Sequence, residues 1–374
     1  MTQPPTWGAP PPQQPGGWPG QPGPGGQWGP QQPWPAPVPP KKGGAAKWAI
    51  GAVSLVAVIA VTAVVAVSCT KNSGDSNGGG GGTQTSAAPA DVASANDKGP
   101  VGIITEDPSC APWGPITNTL AGVEGKGWRD RDPSIPASLW TPDARTQYET
   151  VGKAWRKAAD QIVPLARMTP HRAMRELYEQ SIVYMRAYAD SISTYKPIDD
   201  NLARTAATAG LVITYVCDAI SSGSAAARAS AVPPQKPPTV VAPVGDPAHP
   251  TRMFETADSV CSNLSLTLDQ LAQNPAFKSW MTTDPQIPAS NWSPEQQSLT
   301  EAVIPAMNSM ADALEKLTET SSNPVVKDFI LLGVQYQRTY VEALSTYQPN
   351  DHTLYSAGQG AAAVVRMACN YAAG

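Results

Sequence analysis

Four tyrosines and two tryptophans are the residues of this chain whose types and spacing suggest a binding chemistry. Tyr184 and Tyr188 flank an arginine in a Tyr-x-Arg-x-Tyr run, and Tyr336 and Tyr340 do the same. Trp140 ends the run DPSIPASLW, and Trp292 ends DPQIPASNW. On one helical face such rings either fill a core, their hydroxyls finding partners, or line a pocket for an apolar or sugar ligand. Arg186 and Arg338 lie between the tyrosines and are expected to point outward, pairing with Asp190 and Glu342 four residues on. Hydrolytic and metal chemistry have little to build on. There are three histidines, His171, His249 and His352, and no P-loop, HExxH or GxSxG run. No catalytic residue, metal ligand or cofactor is therefore expected.

The aromatic runs belong to a larger repetition. DPSIPASLWTP at 132–142 and DPQIPASNWSP at 284–294 agree at eight of eleven positions. YMRAYADSISTYKP at 184–197 and YQRTYVEALSTYQP at 336–349 agree at seven of fourteen. Both pairs are offset by 152 residues, as are Trp128 with Trp280 and Cys217 with Cys369. A constant offset over a hundred residues reads as a tandem duplication.

The elements that must position these residues are helices. Thr141-Pro142-Asp143 and Ser293-Pro294-Glu295 read as helix starts: a hydroxyl cap, proline in the first turn, and an acid at the positive dipole end. Gln296 adds a capping-box residue in the second copy. Tyr148, Val151, Trp155, Ala158, Ile162 and Leu165 fall at three-four spacing, as do Val303, Met307, Met310, Leu314 and Leu317. Leu177, Tyr184, Tyr188, Ile192 and Tyr195 continue the pattern in a third helix, and an alanine-rich segment with Leu202, Leu211, Val212 and Val216 makes a fourth. With a short helix after Cys110, each copy reads as a four-helix bundle. The fold class expected is all-α, two tandem bundles over 101–222 and 254–374, with a proline-rich linker at 223–253.

Cys110 and Cys217 lie near the two ends of the first copy, Cys261 and Cys369 near those of the second. An even number of cysteines in an oxidising compartment reads as disulfides. Four cysteines allow three pairings. The duplication favours Cys110–Cys217 and Cys261–Cys369, because an ancestral single copy could close only on itself; the alternative, a metal site, lacks CxxC spacing and neighbouring histidines.

The N-terminal hundred residues are of another kind. Residues 1–40 carry 15 Pro, 8 Gly, 7 Gln and 4 Trp and no charge, so the tail 1–47 is expected to be disordered or locally polyproline II. Trp48–Val67 has no charged residue over about 20 positions, long enough for a transmembrane helix, assigned to 48–69. Lys41, Lys42 and Lys47 precede it, which places the N-terminus in the cytoplasm. Cys69 offers a weak lipid-attachment alternative. Residues 70–100, with a run of five glycines, read as a flexible stalk. The style of residues 1–100, PPTWGAPPPQQPGGWPGQPGPGG followed by a lysine-flanked anchor and a glycine-serine stalk, resembles the proline-rich single-pass membrane proteins of mycobacteria and related actinobacteria. That resemblance implies a cell-envelope setting and supplies no catalytic residues.

From Trp48 onward the chain carries 23 basic and 30 acidic groups, which disfavours nucleic acid as a partner. Residues 103–222 hold 13 basic and 14 acidic groups, whereas 254–374 hold 5 and 12, so one scaffold presents two differently charged surfaces. The favoured reading is a non-enzymatic, integral membrane protein of the envelope. Its paired domains bind a protein or glycan partner outside, while the tail, through Pro37-Val38-Pro39-Pro40-Lys41-Lys42, docks one inside. The alternatives are a carrier or sensor of a small apolar or glycan ligand held among the tyrosines, and a cell-wall enzyme.

Overall fold

Hydroxyl and amide side chains cap the starts of four helices. Thr141 accepts a hydrogen bond from the Ala144 N–H, Ser293 from Gln296, and Asn323 from Val325 and Val326. Proline occupies the first turn after each cap, where its missing donor costs nothing. The computed structural model describes residues 91–374 except Ala257. Its helices are α1 (Cys110–Glu124), α2 (Pro142–Met168), α3 (Arg172–Ser191), α4 (Asp200–Ser221), α5 (Ser224–Arg228), α6 (Val260–Gln273), α7 (Pro275–Trp280), α8 (Pro294–Leu317), α9 (Pro324–Ala343) and α10 (His352–Ala372). The fold is all-helical, with no strand among the described residues.

Every apolar residue read at three-four spacing on α2 is buried, as are Val303, Met307, Met310 and Leu314 on α8. In the first half α2 packs on α3, α3 on α4, and α1 against α2 and α4. In the second, α8 packs on α9, α9 on α10, and α6 against α8 and α10. The helix before Trp280 is broken where Trp128 is approached by a loop: Asn274 ends α6 and caps α7. Disulfides join Cys110 to Cys217 and Cys261 to Cys369.

The two halves share one core. Their most extensive contact is α4 against α10, where small residues allow the helices to approach. A Cβ added at Gly360 would meet Val212 Cγ2 at 2.7 Å. Between α9 and α10 the backbones themselves touch: a Cβ on Gly358 would lie 2.9 Å from the Gln337 amide nitrogen and 3.2 Å from the Gly333 carbonyl oxygen. Because backbone cannot yield as a side-chain tip can, Gly358→Ala should separate the pair and cost about 1–3 kcal/mol, read as a lower urea midpoint.

Parts of the expected stalk and linker are docked on the helices, the linker partly through α5. Of the expected stalk, Val92 is buried and Asp97 accepts from the Arg172 amide at 2.7 Å, and just beyond it Val101 and Ile104 are buried as well. In the segment 223–253, Ser224 donates to Asp351 at 2.7 Å, Arg228 pairs with it at 2.8 Å, and Ala225 is fully buried. A few well-placed side chains, rather than an apolar stripe, fasten these stretches, so hydrophobic periodicity does not register them. The straps also cross: Ile104 N–H donates to the Tyr336 hydroxyl of α9, and Arg186 of α3 donates to the Ala248 carbonyl at 2.5 Å. The tail 1–47, the apolar segment 48–69 and Cys69 lie outside the described residues. Among the described residues no single helix is long and apolar enough to cross a membrane.

Candidate functional site

At the end of each half where the IPAS loop meets the tyrosine helices, aromatic rings gather. The loops are pinned identically. Ala137 N–H donates to the Tyr195 carbonyl and Ala289 to that of Tyr347, both at 2.9 Å. The Tyr195 hydroxyl donates to the Pro133 carbonyl at 2.8 Å, that of Tyr347 to Pro285 at 2.7 Å. Trp140 and Trp292 each donate their indole N–H back into their own loop, to Ile135 and Ile287, at 2.8 Å.

In the first half this centre is filled. Trp140 lies 3.8 Å from Tyr148 between ring centres, and Trp128 lies 4.8 Å from Tyr148 and 6.2 Å from Tyr188. Arg131 places its guanidinium 4.0 Å above the Trp128 ring and bonds Asp200 at 2.6 Å. Burial works against the Arg131 charge, but Asp200, with Tyr188 and Tyr148, outweighs it and holds the pKa above its usual value.

In the second half it is open. Position 283 is Thr where the first half has Arg131, 300 is Thr where it has Tyr148, and 352 is His where it has Asp200. A cavity of about 150 Å³ results, lined by Trp280, Trp292, Tyr340, Tyr347, Thr300 and His352 among others. Thr300 is 2 % exposed, and neither its Oγ1 nor His352 Nδ1 has a hydrogen-bond partner. Burial lowers the His352 pKa, so its ring is neutral at neutral pH.

Of the residues singled out by sequence, Tyr340 and Trp292 meet at this cavity. Tyr188 and Trp140 stand in the packed centre of the first half. Tyr184 and Tyr336, one turn away, face the straps, where the Tyr336 hydroxyl accepts from Ile104 at 3.3 Å. All four tyrosines are buried. The ion pairs expected within α3 and α9 are instead between helices. Arg186 bonds Asp160 of α2 at 2.7 Å, leaving Asp190 to Arg156, and Arg338 bonds Asp312 and Glu315 of α8. A long guanidinium stem bridges the groove to a packed neighbour as easily as it follows its own helix. Gln296 likewise makes no capping box; its side chain donates to the Asp284 carbonyl at 3.2 Å.

Sequence periodicity missed a charged cluster at the start of α3. Arg172 is 2 % exposed and clasps Asp328 of α9 with Nε at 2.6 Å and Nη2 at 3.1 Å, while also bonding the carbonyls of Asp97 and Gly99. Arg175 and Glu176 are buried beside it, 3.4 Å apart. Asp328 and Glu176 stand 152 residues apart, the offset of the repeated runs, and that coincidence of two acids was the available signal. Burial, reinforced by the Asp328 charge, raises the Glu176 pKa well above 4.5. The folded state therefore binds this proton more tightly than the unfolded chain, and stability drains away as pH rises from 4.5 through the elevated value. Glu176→Gln, which never ionises, should lose less stability over that rise than the native chain, in denaturation curves taken across pH. Parallel curves for the two would show that Glu176 does not titrate differently on folding.

No group of His, Cys, Asp or Glu suited to hold a metal occurs among the described residues. The site is thus a pair of matched aromatic centres on one helical scaffold, one closed by its own cation and one open. Residues 92–374 match the family described as "Mycobacterial ESX-1 associated protein", and the chain belongs to that family. It is also similar to an uncharacterized protein of Mycolicibacterium smegmatis (strain MKD8), 46% identical over 345 residues, which cover 92% of this chain and 91% of that one. No solved structure matches.

Proposed function

We propose that this chain is a non-enzymatic binding module of the ESX-1 secretion system, a duplicated pair of helical bundles held outside the cytoplasmic membrane by the apolar segment 48–69. The observation that carries the reading is the family membership of residues 92–374. Supporting it, the buried Arg172–Asp328 pair joins α3 to α9, and Arg175 and Glu176 are buried beside each other within α3, so none of these charges is gathered at an open cleft. Two disulfides favour an oxidising compartment, hence an extracytoplasmic position. The proline-rich tail then faces the cytoplasm and recruits a partner there, while the acidic second half meets a protein or glycan outside.

The test is affinity capture of the tagged full-length chain from mycobacterial envelope, with secretion of ESX-1 cargo followed in a deletion strain. Enrichment of secretion-system components together with reduced cargo export is expected. Unchanged export and no enrichment would dismiss the reading. Protease added to intact cells should cleave residues 91–374 and spare the tail; the reverse would invert the topology.

A second reading, a carrier or sensor of a small ligand, is favoured by the cavity beside Tyr340 and Trp292.

A further inference from the structure

The two aromatic centres differ in a way that identifies what the open one is shaped to hold. Both keep the same walls: Trp280, Tyr340 and Tyr347 match Trp128, Tyr188 and Tyr195. In the first half those walls surround Arg131, its guanidinium over the Trp128 ring at 4.0 Å. An aromatic face attracts a cation through its quadrupole, and a guanidinium also stacks on it. The second half has the walls without the cation, and it adds Tyr355, whose ring packs 5.2 Å from Trp280 and 5.3 Å from Tyr340. Thr283 replaces the arginine, and Thr300 removes the ring that in the first half closes the rest of the space. Resting on the small-ligand reading above, we propose that the cavity of the second half receives an external guanidinium group in the place that Arg131 fills in the first.

Three observations support that class of ligand. The volume, about 150 Å³, is ample for a planar group of four heavy atoms. Thr300 and His352 line the cavity with Oγ1 and Nδ1 buried and without partners; each can accept, and a guanidinium presents donors and no acceptors. Asp284 lines the same cavity, in a half of the chain with 5 basic and 12 acidic groups, so the surrounding potential favours a cation over an anion. The group has two sources, a free guanidino compound or an arginine side chain of a peptide, which share this chemistry.

The experiment follows the indole N–H resonances of Trp280 and Trp292 in the full-length chain during titration with methylguanidinium. N-methylurea, of the same shape but neutral, is the control, and N-acetyl-arginine N-methylamide represents the peptide source. Saturable shifts with methylguanidinium, at least about tenfold weaker with N-methylurea, are expected. Tighter binding of the capped arginine assigns the site to peptides, and weaker binding to free compounds. Thr283→Arg/His352→Asp rebuilds the arrangement of the first half and should abolish the response. Thr300→Tyr, which adds the missing ring, should do so independently if the double variant does not fold. Equal response to N-methylurea would retain a ligand cavity and overturn the cationic class. No saturable shift in the native chain, or undiminished binding in the variants, would overturn the site itself.

Discussion

Arg172→Met should lower the unfolding free energy by about 3–5 kcal/mol, the largest effect expected of any single substitution in α3. The reason is what the substitution leaves behind. Asp328 is buried, and its two carboxylate oxygens receive the Arg172 Nε–H and Nη2–H at 2.6 and 3.1 Å. Glu176, a second acid, lies near enough that the Asp328 charge raises its pKa. Without the guanidinium, two acids would share a site drained of water, and the carbonyls of Asp97 and Gly99 would lose their donor as well. Arg172→Met/Asp328→Leu removes the charge with its partner and should recover most of the loss, because replacing a whole buried pair by apolar side chains is close to neutral. Urea denaturation of the native chain and both variants measures this. A single-variant loss below about 1 kcal/mol would mean that water reaches the pair in solution and that the seam between α3 and α9 is looser than bonds of 2.6 and 3.1 Å imply.

That cluster also shows where sequence reasoning stops. The aromatic faces, the caps at Thr141 and Ser293 and the cysteine pairing were legible because each rests on a local rule or on the 152-residue offset. The run Arg172-Ala-Met-Arg-Glu176 reads like a solvated first turn of a helix, and nothing local says that α9 lies across it. Arg186 and Arg338 fail the same test, since their partners sit on neighbouring helices. The open site was half legible. Tyr340 and Trp292 stood out as repeated residues, whereas Thr283, Thr300 and His352, which make the cavity, are informative only as departures from the first half.

Removing either disulfide should cost about 2–5 kcal/mol and, because the halves share a core, should weaken the whole unit and not one half of it. Cys110–Cys217 closes a separation of 107 residues and Cys261–Cys369 one of 108, so the chain-entropy contribution to each is nearly the same. Each bridge fastens the first helix of its half to the last, α1 to α4 and α6 to α10, and α4 and α10 are the helices that meet at the seam. Loosening α4 therefore exposes α10, and the reverse. Cys110→Ser/Cys217→Ser and Cys261→Ser/Cys369→Ser are expected to give single cooperative transitions with similar losses, and thiol reduction of the native chain should add the two effects. A biphasic curve in either variant, with one phase at the native midpoint, would show that the halves fold separately and that the α4–α10 contact contributes little to holding them together.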